Sequence, residues 1–273
     1  MSLEDPRKVL ARHGFSPKRS YSQNFLVSER AVRAIVEACE LAIDRPVLEL
    51  GAGCGTLTQA LAAVSGKVYA IERDPDMLAV LAAECDPARV QLMAADAKQL
   101  DLTRFRDESG GPLRVAGNLP YAITGAILRN LVEQSESVER AVVMVQREVR
   151  DRLVAEPGSA AYGALTVFTA QVFSIETVIH LPRTAFFPPP KVTSSVVRLR
   201  PLSTPRAERS ARFDQVVRAS FQARRKTLRN ALAQALDANQ ADRALQGAGI
   251  DGTRRGETLS IEEFGSLARA LGS

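Results

Sequence analysis

Between about residues 28 and 150, short apolar runs alternate with stretches in which apolar residues recur every three or four positions. The runs predict strands, and the stretches of about ten residues predict helices. The predicted strands are PVLELGAG (46–53), KVYAIERD (67–74), VQLMAADA (90–97), LRVAGN (113–118) and AVVMVQ (141–146). The predicted helices are SERAVRAIVEAC (28–39), TLTQALAAV (56–64), PDMLAVLAAEC (75–85) and AITGAILRNLVEQ (122–134). This alternation predicts an α/β fold with a doubly wound parallel sheet, in which ligands bind beyond the carboxyl ends of the strands.

The pattern changes after about residue 182. A stiff proline-rich segment, PRTAFFPPPK, precedes VTSSVVRLRP, a β-rich run that we expect to close the edge of the sheet. LSTPRAERSA (202–211) has the composition of a linker, and the pattern is helical from there to the end. We therefore predict a basic N-terminal segment (1–27), an α/β domain (28–200) and a smaller helical domain (201–273).

The composition is that of an ordinary globular protein, because 45% of the 273 residues are hydrophobic and 25% are charged. No apolar run approaches the roughly 20 residues of a membrane span, and the start of the chain does not resemble a signal peptide. Three cysteines and two histidines are too few and too widely spaced for a common zinc site or a disulfide framework. We expect a cytoplasmic protein with no bound metal.

The basic residues are concentrated at the two ends of the chain. Residues 1–24 carry five Lys or Arg against two acids, and residues 201–273 carry twelve against eight, although the whole chain has a net charge of only +5. Such a distribution indicates a catalytic body held on a polyanion by its extremities. An uneven surface charge without function would give the same counts.

A glycine-rich turn follows the first predicted strand in ELGAGCGTLT (49–58). Glycine lets the backbone approach a ligand where a Cβ would clash. The dinucleotide fingerprint G-x-G-x-x-G would need a glycine at position 56, which is Thr56 here. The spacing is instead G-x-G-x-G after Glu49, which resembles the motif of class I S-adenosylmethionine (SAM) methyltransferases.

The next two predicted strands end in acids. Glu72 follows Gly51 by 21 residues, where a carboxylate can accept hydrogen bonds from ribose hydroxyls, and Asp96 could accept one from an adenine amino group. Together with the glycine turn, these acids predict an adenosine-bearing cofactor. SAM is favoured, and NAD is the alternative, disfavoured by Thr56 and by the lack of an obvious hydride-transfer acid.

The fourth predicted strand ends in Asn-Leu-Pro-Tyr (118–121). The amide oxygen of Asn118 and the carbonyl of Leu119 could accept both hydrogens of an exocyclic adenine amine and aim its lone pair at a sulfonium methyl. Pro120 fixes the backbone, and Tyr121 offers a flat face for an extruded base. An Asn-capped helix start with a buried tyrosine is the structural alternative.

The motifs YSQNFL (21–26), ELGAGCG (49–55), GNLPY (117–121) and AFFPPPKVTSS (185–195) together resemble the rRNA adenine N6-dimethyltransferases. QREVRDRLVAEPGSAAYGALTV (146–167) and FQARRKTLRNAL (221–232) resemble the bacterial small-subunit branch, the KsgA family. The resemblance covers roughly residues 15 to 270. It implies a class I SAM-dependent methyltransferase fold with a seven-stranded, mostly parallel sheet and a helical C-terminal domain that binds RNA.

The resemblance also implies roles for individual residues. The implied cofactor site consists of Asn24, Leu26, Gly51, Gly53, Glu72, Asp96, Ala97 and Asn118. Phe186, or Phe187 if the register shifts by one, would stack on the target base opposite Tyr121. The chain departs from the family pattern at Ala122 and Ala126, which puts the positioning of the following helix in question, and Cys54 is expected to be a packing residue.

The C-terminal pattern adds a basic stripe. Val217, Phe221, Leu228 and Leu232 have helical spacing, and basic residues lie beside this apolar row. The predicted RNA-binding residues are Arg218, Arg224, Arg225, Lys226 and Arg229. A solvated helix face is the alternative.

The resemblance implies SAM-dependent N6,N6-dimethylation of two adjacent adenosines in the 3′-terminal hairpin of 16S rRNA, coupled to small-subunit biogenesis. The expected partner is 16S rRNA within the small subunit or its precursor, and the protein is expected to be a monomer. Two alternatives remain: an Erm-type methyltransferase of 23S rRNA, and a non-catalytic RNA-binding assembly factor.

Overall fold

The computed structural model describes residues 4–223 and 225–272. Its strands are β1 (Phe25–Leu26), β2 (Pro46–Leu50), β3 (Lys67–Glu72), β4 (Val90–Ala94), β5 (Leu113–Asn118), β6 (Val138–Gln146), β7 (Phe173–Leu181), β8 (Phe186–Phe187) and β9 (Ser194–Pro201). Its helices are α1 (Pro6–Arg12), α2 (Glu29–Cys39), α3 (Thr56–Ala62), α4 (Pro75–Glu84), α5 (Leu102–Glu108), α6 (Thr124–Glu133), α7 (Arg147–Leu153), α8 (Ala164–Val172), α9 (Ala211–Gln222), α10 (Leu228–Ala235), α11 (Ala238–Ala248) and α12 (Ile261–Ala270).

The described residues form two compact units. The sheet unit comprises the residues up to Arg150 together with Ser174–Pro201, and the helical unit comprises Asp151–Phe173 together with the residues from Leu202 onward. The chain therefore divides differently from the predicted boundary at residue 201, because residues 151–173 group with the C-terminal helices. No helix of the described residues is both long and apolar enough to cross a bilayer.

A seven-stranded sheet is the centre of the sheet unit, with strand order β4-β3-β2-β5-β6-β9-β7. Strands β2 to β6 are mutually parallel where they pair, and β9 runs antiparallel to β6. The five strands predicted from the sequence are β2 to β6. The predicted Rossmann-like, mostly parallel sheet is confirmed.

Burial on both faces explains the apolar runs. Val47, Leu48, Val68 and Ala70 on β2 and β3 are all fully buried, as expected for parallel strands with helices on either side. β2 ends at Leu50, earlier than predicted, because the next residue leaves the extended conformation.

The expectation that 192–201 closes the sheet edge is wrong. β9 lies between β6 and β7, so the edge beside it is formed by β7, which the sequence pattern did not reveal. Most side chains of β7 are exposed or half-buried. A strand at the edge has one open side and needs no continuous apolar run, which weakens its signal in the sequence.

Local capping fixes the helices that follow the strands. Ser28 accepts a hydrogen bond from Ala31 N at the start of α2, and Asp74 accepts one from Asp76 N ahead of Pro75 at the start of α4. These starts were predicted. α6 begins two residues later than predicted, because residues 121–123 form a 3-10 turn.

The helical unit packs α8 to α12 around its own core. The largest buried side chains include Tyr162, Phe213 and Phe264, and the hydroxyl of Tyr162 donates to Leu259 O at 2.8 Å. The segment that resembled a linker, from residue 202, is tied to this core, since Leu202 N donates to Val172 O at 2.8 Å and Ala207 is buried.

The basic stripe does not lie on one helix. α9 ends at Gln222, and α10 begins only at Leu228, whose N–H donates to Arg254 O at 2.7 Å instead of continuing α9. Thr227 caps the new helix by accepting from Asn230 N. The assumption of a continuous helix is therefore wrong, although Val217, Leu228 and Leu232 are buried as their spacing predicted.

The predicted RNA-binding residues are consequently spread over three short segments. Arg218 lies on α9, with its Nη2 3.7 Å from Asp214 Oδ2, and Arg229 lies on α10, paired with Asp242 at 2.6 Å. Arg225 and Lys226 are exposed in the connection between these helices. Arg224 lies outside the described residues.

Candidate active site

A cleft with about 870 Å³ of empty space, part of it open to solvent, lies at the carboxyl ends of β2 to β5. It brings together ten of the residues predicted for the site: Asn24, Gly51, Gly53, Glu72, Asp96, Ala97, Asn118, Leu119, Pro120 and Tyr121. Parallel strands all present their carboxyl ends at one edge of the sheet, so residues far apart in the sequence meet there.

The glycine turn after β2 forms the floor of the cleft. Gly51 and Gly53 have φ angles of 78° and 58°, in the left-handed region that favours glycine. A Cβ at Gly53 would lie 3.2 Å from the ring of Phe25, and one at Gly51 would lie 3.5 Å from Asn118 O. The N–H of Gly51 is held by Ile71 O at 2.9 Å. The turn therefore presents bare backbone to a ligand.

The carboxylate of Glu72 is fixed by three backbone N–H groups. Oε2 accepts from Gly53 N at 2.8 Å, and Oε1 accepts from Arg73 N and Asp74 N at 2.7 and 2.8 Å. An ionised carboxylate has about four acceptor positions, so it can still take a further donor. Its location in the cleft and its fixed orientation fit the binding of a ribose hydroxyl.

Asp96 faces the same cleft beside two cations. Its Oδ1 accepts from Lys98 N at 3.2 Å, which caps the 3-10 turn that contains Ala97. Its Oδ2 lies 3.3 Å from Arg73 Nη1 and 3.4 Å from Lys98 Nζ. These ion pairs are long and partly exposed, which leaves the carboxylate able to accept from a neutral amino group.

Asn118 is held by its amide nitrogen. Nδ2 donates to Asn24 O at 2.8 Å, and a carbonyl can only accept, so the amide orientation is determined. Among the described residues, Oδ1 accepts no hydrogen bond. Gly117 precedes it because a Cβ there would lie 2.5 Å from Leu50 O on the neighbouring strand. The amide oxygen is therefore an acceptor available to a ligand.

Leu119 and Pro120 continue this rigid turn. Leu119 N donates to Met144 O at 3.2 Å, and Pro120 O accepts from Ile123 N and from the hydroxyl of Thr124. The φ of Pro120 is −59°. Hydrogen bonds on both sides and the proline ring fix the direction of the Leu119 carbonyl.

The ring of Tyr121 lines the cleft and is anchored by its hydroxyl. Tyr121 Oη lies 2.7 Å from Ser194 Oγ, and Ser194 is fully buried at the start of β9. Burial raises the pKa of Tyr121 above its usual range, so the phenol stays neutral. Ser194 lies in the quoted segment AFFPPPKVTSS, yet nothing in the sequence indicated this role.

The structure does not bring Leu26 or Phe186 to the cleft. These residues are register partners in the short β1–β8 pair, and each side chain is 3% exposed in the core. The ring of Phe186 is buried in this structure and does not line the cleft, so its stacking on the target base stays a prediction. The alternative, Phe187, packs near the Arg7 guanidinium instead, and Phe25 lines the cleft where Leu26 was expected.

The thiols are packing groups. Cys39, Cys54 and Cys85 are free, and burial raises the pKa of Cys54 to about 11 and those of the other two to about 12. Cys54 is 3% exposed, which confirms its expected packing role. In the described ranges, no group of three or more His, Cys, Asp or Glu residues is placed to hold a metal ion.

Glu49, the acid ahead of the glycine turn, is wholly buried at 1% exposure. Loss of solvation raises its pKa to about 8, against a smaller lowering by Thr58, and the charge of Glu72 raises it further. The side chain is therefore mostly protonated at neutral pH and contributes no full charge to the cleft.

This buried acid predicts a pH-dependent stability. Glu49 binds its proton more tightly when folded than when unfolded, so its contribution is complete below about pH 4.5 and is lost as the pH rises towards 8. The loss is at most about 1.4 kcal/mol per pH unit. We expect Glu49→Gln to be more stable than wild type at pH 8 by a few kcal/mol, and nearly equal at pH 5, in urea unfolding. Glu37→Gln, at an exposed position, is the control, and parallel wild-type and Glu49→Gln curves would contradict the shift.

These groups fit SAM. The bare backbone of the turn admits a ligand closely, the fixed carboxylate of Glu72 suits a ribose, and the oxygen of Asn118 faces the same cleft. No pyrophosphate is needed to explain a turn in which Thr56 replaces the third dinucleotide glycine.

Comparisons with known proteins show which family the chain belongs to. The model of the ribosomal RNA adenine dimethylase family matches residues 14–272. A Myxococcus xanthus protein named ribosomal RNA small subunit methyltransferase A is 46% identical over 99% of this chain and 96% of its own.

Two solved structures share the fold. A dimethyladenosine transferase from Plasmodium falciparum superposes with a TM-score of 0.75 at 24% identity, covering 89% of this chain and 95% of its own. The 23S rRNA methyltransferase ErmE gives 0.63 at 28% identity, covering 92% and 100%. The chain belongs to the ribosomal RNA adenine dimethylase family and is a SAM-dependent methyltransferase.

Proposed function

We propose that this protein dimethylates the N6 amines of two adjacent adenosines in the 3′-terminal hairpin of 16S rRNA, as a cytoplasmic monomer acting on the small ribosomal subunit or its precursor. The observation that carries the proposal is the fixed amide of Asn118. Its nitrogen is held by Asn24 O at 2.8 Å, so its oxygen is left to accept from a ligand in the cleft.

The cofactor would be held by groups already in place. Gly51 and Gly53 would lie against its methionine end, Glu72 would accept from the ribose hydroxyls, and Asp96 with Ala97 would bind the adenine. When bound, SAM supplies an electrophilic methyl group on a sulfonium. The chain's task is to orient the acceptor nitrogen towards that methyl.

The chain's own residues perform this orientation. The Asn118 oxygen and the Leu119 carbonyl accept the two hydrogens of the adenine amine, which draws the nitrogen towards a tetrahedral geometry and reduces the conjugation of its lone pair with the ring. The Tyr121 ring, held by Ser194, supports the extruded base. A monomethylated amine keeps one hydrogen, so one acceptor is still engaged in the second transfer.

Identity with relatives favours the small subunit over the Erm alternative. Eight curated relatives at 40–46% identity share the name ribosomal RNA small subunit methyltransferase A and align over nearly the whole chain. ErmE is only 28% identical. A non-catalytic assembly factor is disfavoured because Glu72, Asp96 and Asn118 are all placed in one cleft.

The helical unit would bind the RNA backbone. Arg218, Arg225, Lys226 and Arg229 are exposed, and the acids beside Arg218 and Arg229 hold those guanidinium groups in place. Arg224 is part of the same proposal by sequence. Phosphates on a folded RNA are suitable partners for such residues.

A labelling experiment tests this function. The protein is incubated with methyl-labelled SAM and, separately, with small and large ribosomal subunits from cells that lack these methylations. We expect mass spectrometry of the digested RNA to find N6,N6-dimethyladenosine at two adjacent positions in the small subunit only. Label confined to the large subunit would assign the Erm activity instead, and binding without label would favour the assembly factor.

A further inference from the structure

One wall of the cofactor cleft is an irregular segment. Residues 20–25 all line the cleft, and those before β1 pair with no strand in the described structure. We call residues 18–24 the strap. It is joined to α1 through Gly14 at one end and to β1 at the other. The regular structure of the strap is a single 3-10 turn at Arg19–Tyr21, so other contacts must hold the segment against a ligand.

A buried carboxylate supplies those contacts at the start of the strap. Asp74 is fully buried, and its oxygens accept from Lys18 Nζ and from Gln23 Nε2, both at 2.7 Å. Lys18 Nζ also reaches Asp76 Oδ2 at 2.5 Å. Hydrogen bonds to Asp74 and Asp76 raise the pKa of Lys18, so its ammonium group keeps its charge across the physiological range. We call the contacts of Lys18 and Gln23 with Asp74 the latch.

A hydrogen bond within the strap also joins its two ends. Lys18 N donates to Gln23 Oε1 at 2.7 Å, so both residues that bind Asp74 are also tied to each other. Ser22 is held at a φ of 54°, an uncommon conformation for a residue with a side chain. The compact turn therefore depends on the latch.

Two further hydrogen bonds connect Asp74 and the strap to the residues proposed to bind the ribose and the adenine amine. Asp74 N donates to Glu72 Oε1 at 2.8 Å, and the last strap residue, Asn24, accepts from Asn118 Nδ2 at 2.8 Å. These hydrogen bonds, together with the bond from Gln23 to Asp74 and the peptide link between Gln23 and Asn24, connect Glu72 to Asn118 through the strap. Loosening the strap would change how the cleft holds its cofactor.

We propose that Lys18, Gln23 and Asp74 are positioning residues that latch the strap over the cofactor cleft and set the rate of cofactor exchange. Each methyl transfer consumes one cofactor, so dimethylation of one adenine needs an exchange between its two transfers. The strap forms one wall of the cleft, and it is held there by its hydrogen bonds to the buried carboxylate of Asp74. A bound ligand leaves the cleft past this wall. This inference rests on the proposed placement of the cofactor in the cleft.

Lys18→Met tests the latch, because it keeps the apolar stem and removes the ammonium. Hydrogen–deuterium exchange of peptides covering residues 18–24 is measured without cofactor, and the dissociation rate of S-adenosylhomocysteine is measured by stopped flow. We expect both rates to rise on the order of 10-fold or more, as for loss of a hydrogen bond between charged groups. We expect the KM for the cofactor to rise while the KM for the ribosomal subunit stays the same.

Lys8→Met is the matched control, since Lys8 is an exposed lysine on α1 with no side-chain bond to Asp74. Gln23→Leu removes the second contact, and we expect its effect and that of Lys18→Met to be non-additive because both act on Asp74. Unchanged strap exchange in Lys18→Met would overturn the latch, even if wild type bound no cofactor. If the wild type binds S-adenosylhomocysteine and Lys18→Met releases it at the same rate, the role of the latch in cofactor exchange would be overturned. Wild type that does not bind would instead refute the proposed cofactor site.

Discussion

Asn118→Ala is expected to lower the single-turnover rate of methyl transfer by about 10²–10³-fold, the usual cost of losing one group aimed at a transition state. The substitution removes an acceptor that is already oriented, because the amide nitrogen is fixed on Asn24 O. The rate is measured on unmethylated small subunits at saturating SAM. Thermal unfolding should change little, since the loss is a single half-exposed hydrogen bond worth about 1 kcal/mol.

Two further variants make this result specific. Asn118→Asp keeps acceptor oxygens and loses the donor to Asn24, so we expect an intermediate rate. Asn239→Ala removes an exposed amide on α11 and should leave the rate within a factor of two of wild type, roughly the effect of an ordinary surface substitution. A rate for Asn118→Ala close to that of wild type would show that the amide oxygen does not hold the adenine amine.

Glu72→Ala is expected to raise the Kd for SAM on the order of 100-fold. The carboxylate would accept from ribose hydroxyls, and hydrogen bonds to a charged group contribute roughly 1.5–3 kcal/mol each. The variant also releases the N–H groups of Gly53 and Asp74, which the carboxylate now fixes. Isothermal titration calorimetry with SAM and with S-adenosylhomocysteine measures the effect.

Glu72→Gln separates charge from shape. It keeps one acceptor oxygen on a side chain of the same size, so we expect weaker binding than wild type and tighter binding than Glu72→Ala. Glu37→Ala, an exposed glutamate on α2, serves as the control and should bind like wild type. If Glu72→Ala bound SAM as tightly as wild type, the assignment of Glu72 to the ribose would be refuted.

The sheet and most of the cleft were predictable because their signals are local. β2, β3 and β5 are largely buried and appear as apolar runs, whereas β4 lies at the sheet edge and is only partly buried. Each of the four strands ends in, or is closely followed by, a residue type with its own chemistry. In a parallel arrangement, the ends of such strands must lie at one edge of the sheet. The sequence alone therefore predicts that one cleft contains four residues, and the structure places all of them there: Gly51, Glu72, Asp96 and Asn118.

The β1–β8 pair shows where this reasoning ends. The motifs QNFL and FFPPP form the two paired strands, in which Phe25 is opposite Phe187 and Leu26 is opposite Phe186. A strand of two residues is too short for a periodic pattern to show which side chain faces the core. Pairing of Leu26 with Phe186 directs both into the core, and a shift by one residue would reverse this. Only tertiary packing decides between the two registers.

The break between α9 and α10 has a similar origin. Val217, Leu228 and Leu232 satisfy helical spacing across residues 223–227, so their pattern is compatible with one long helix. The first N–H of α10 bonds instead to Arg254 O, a residue 26 positions further along the chain. A contact of that kind leaves no trace in local periodicity.

By itself, the sequence determined the α/β class, the chemical group at the end of each strand and the family, since these depend on burial periodicity and on short motifs. The tertiary structure alone decided that Asp74 latches the strap, that Ser194 holds Tyr121, that β7 forms the edge and that Phe186 is buried. These features depend on contacts between residues distant in the sequence, and such pairs form only when packing has brought their side chains together.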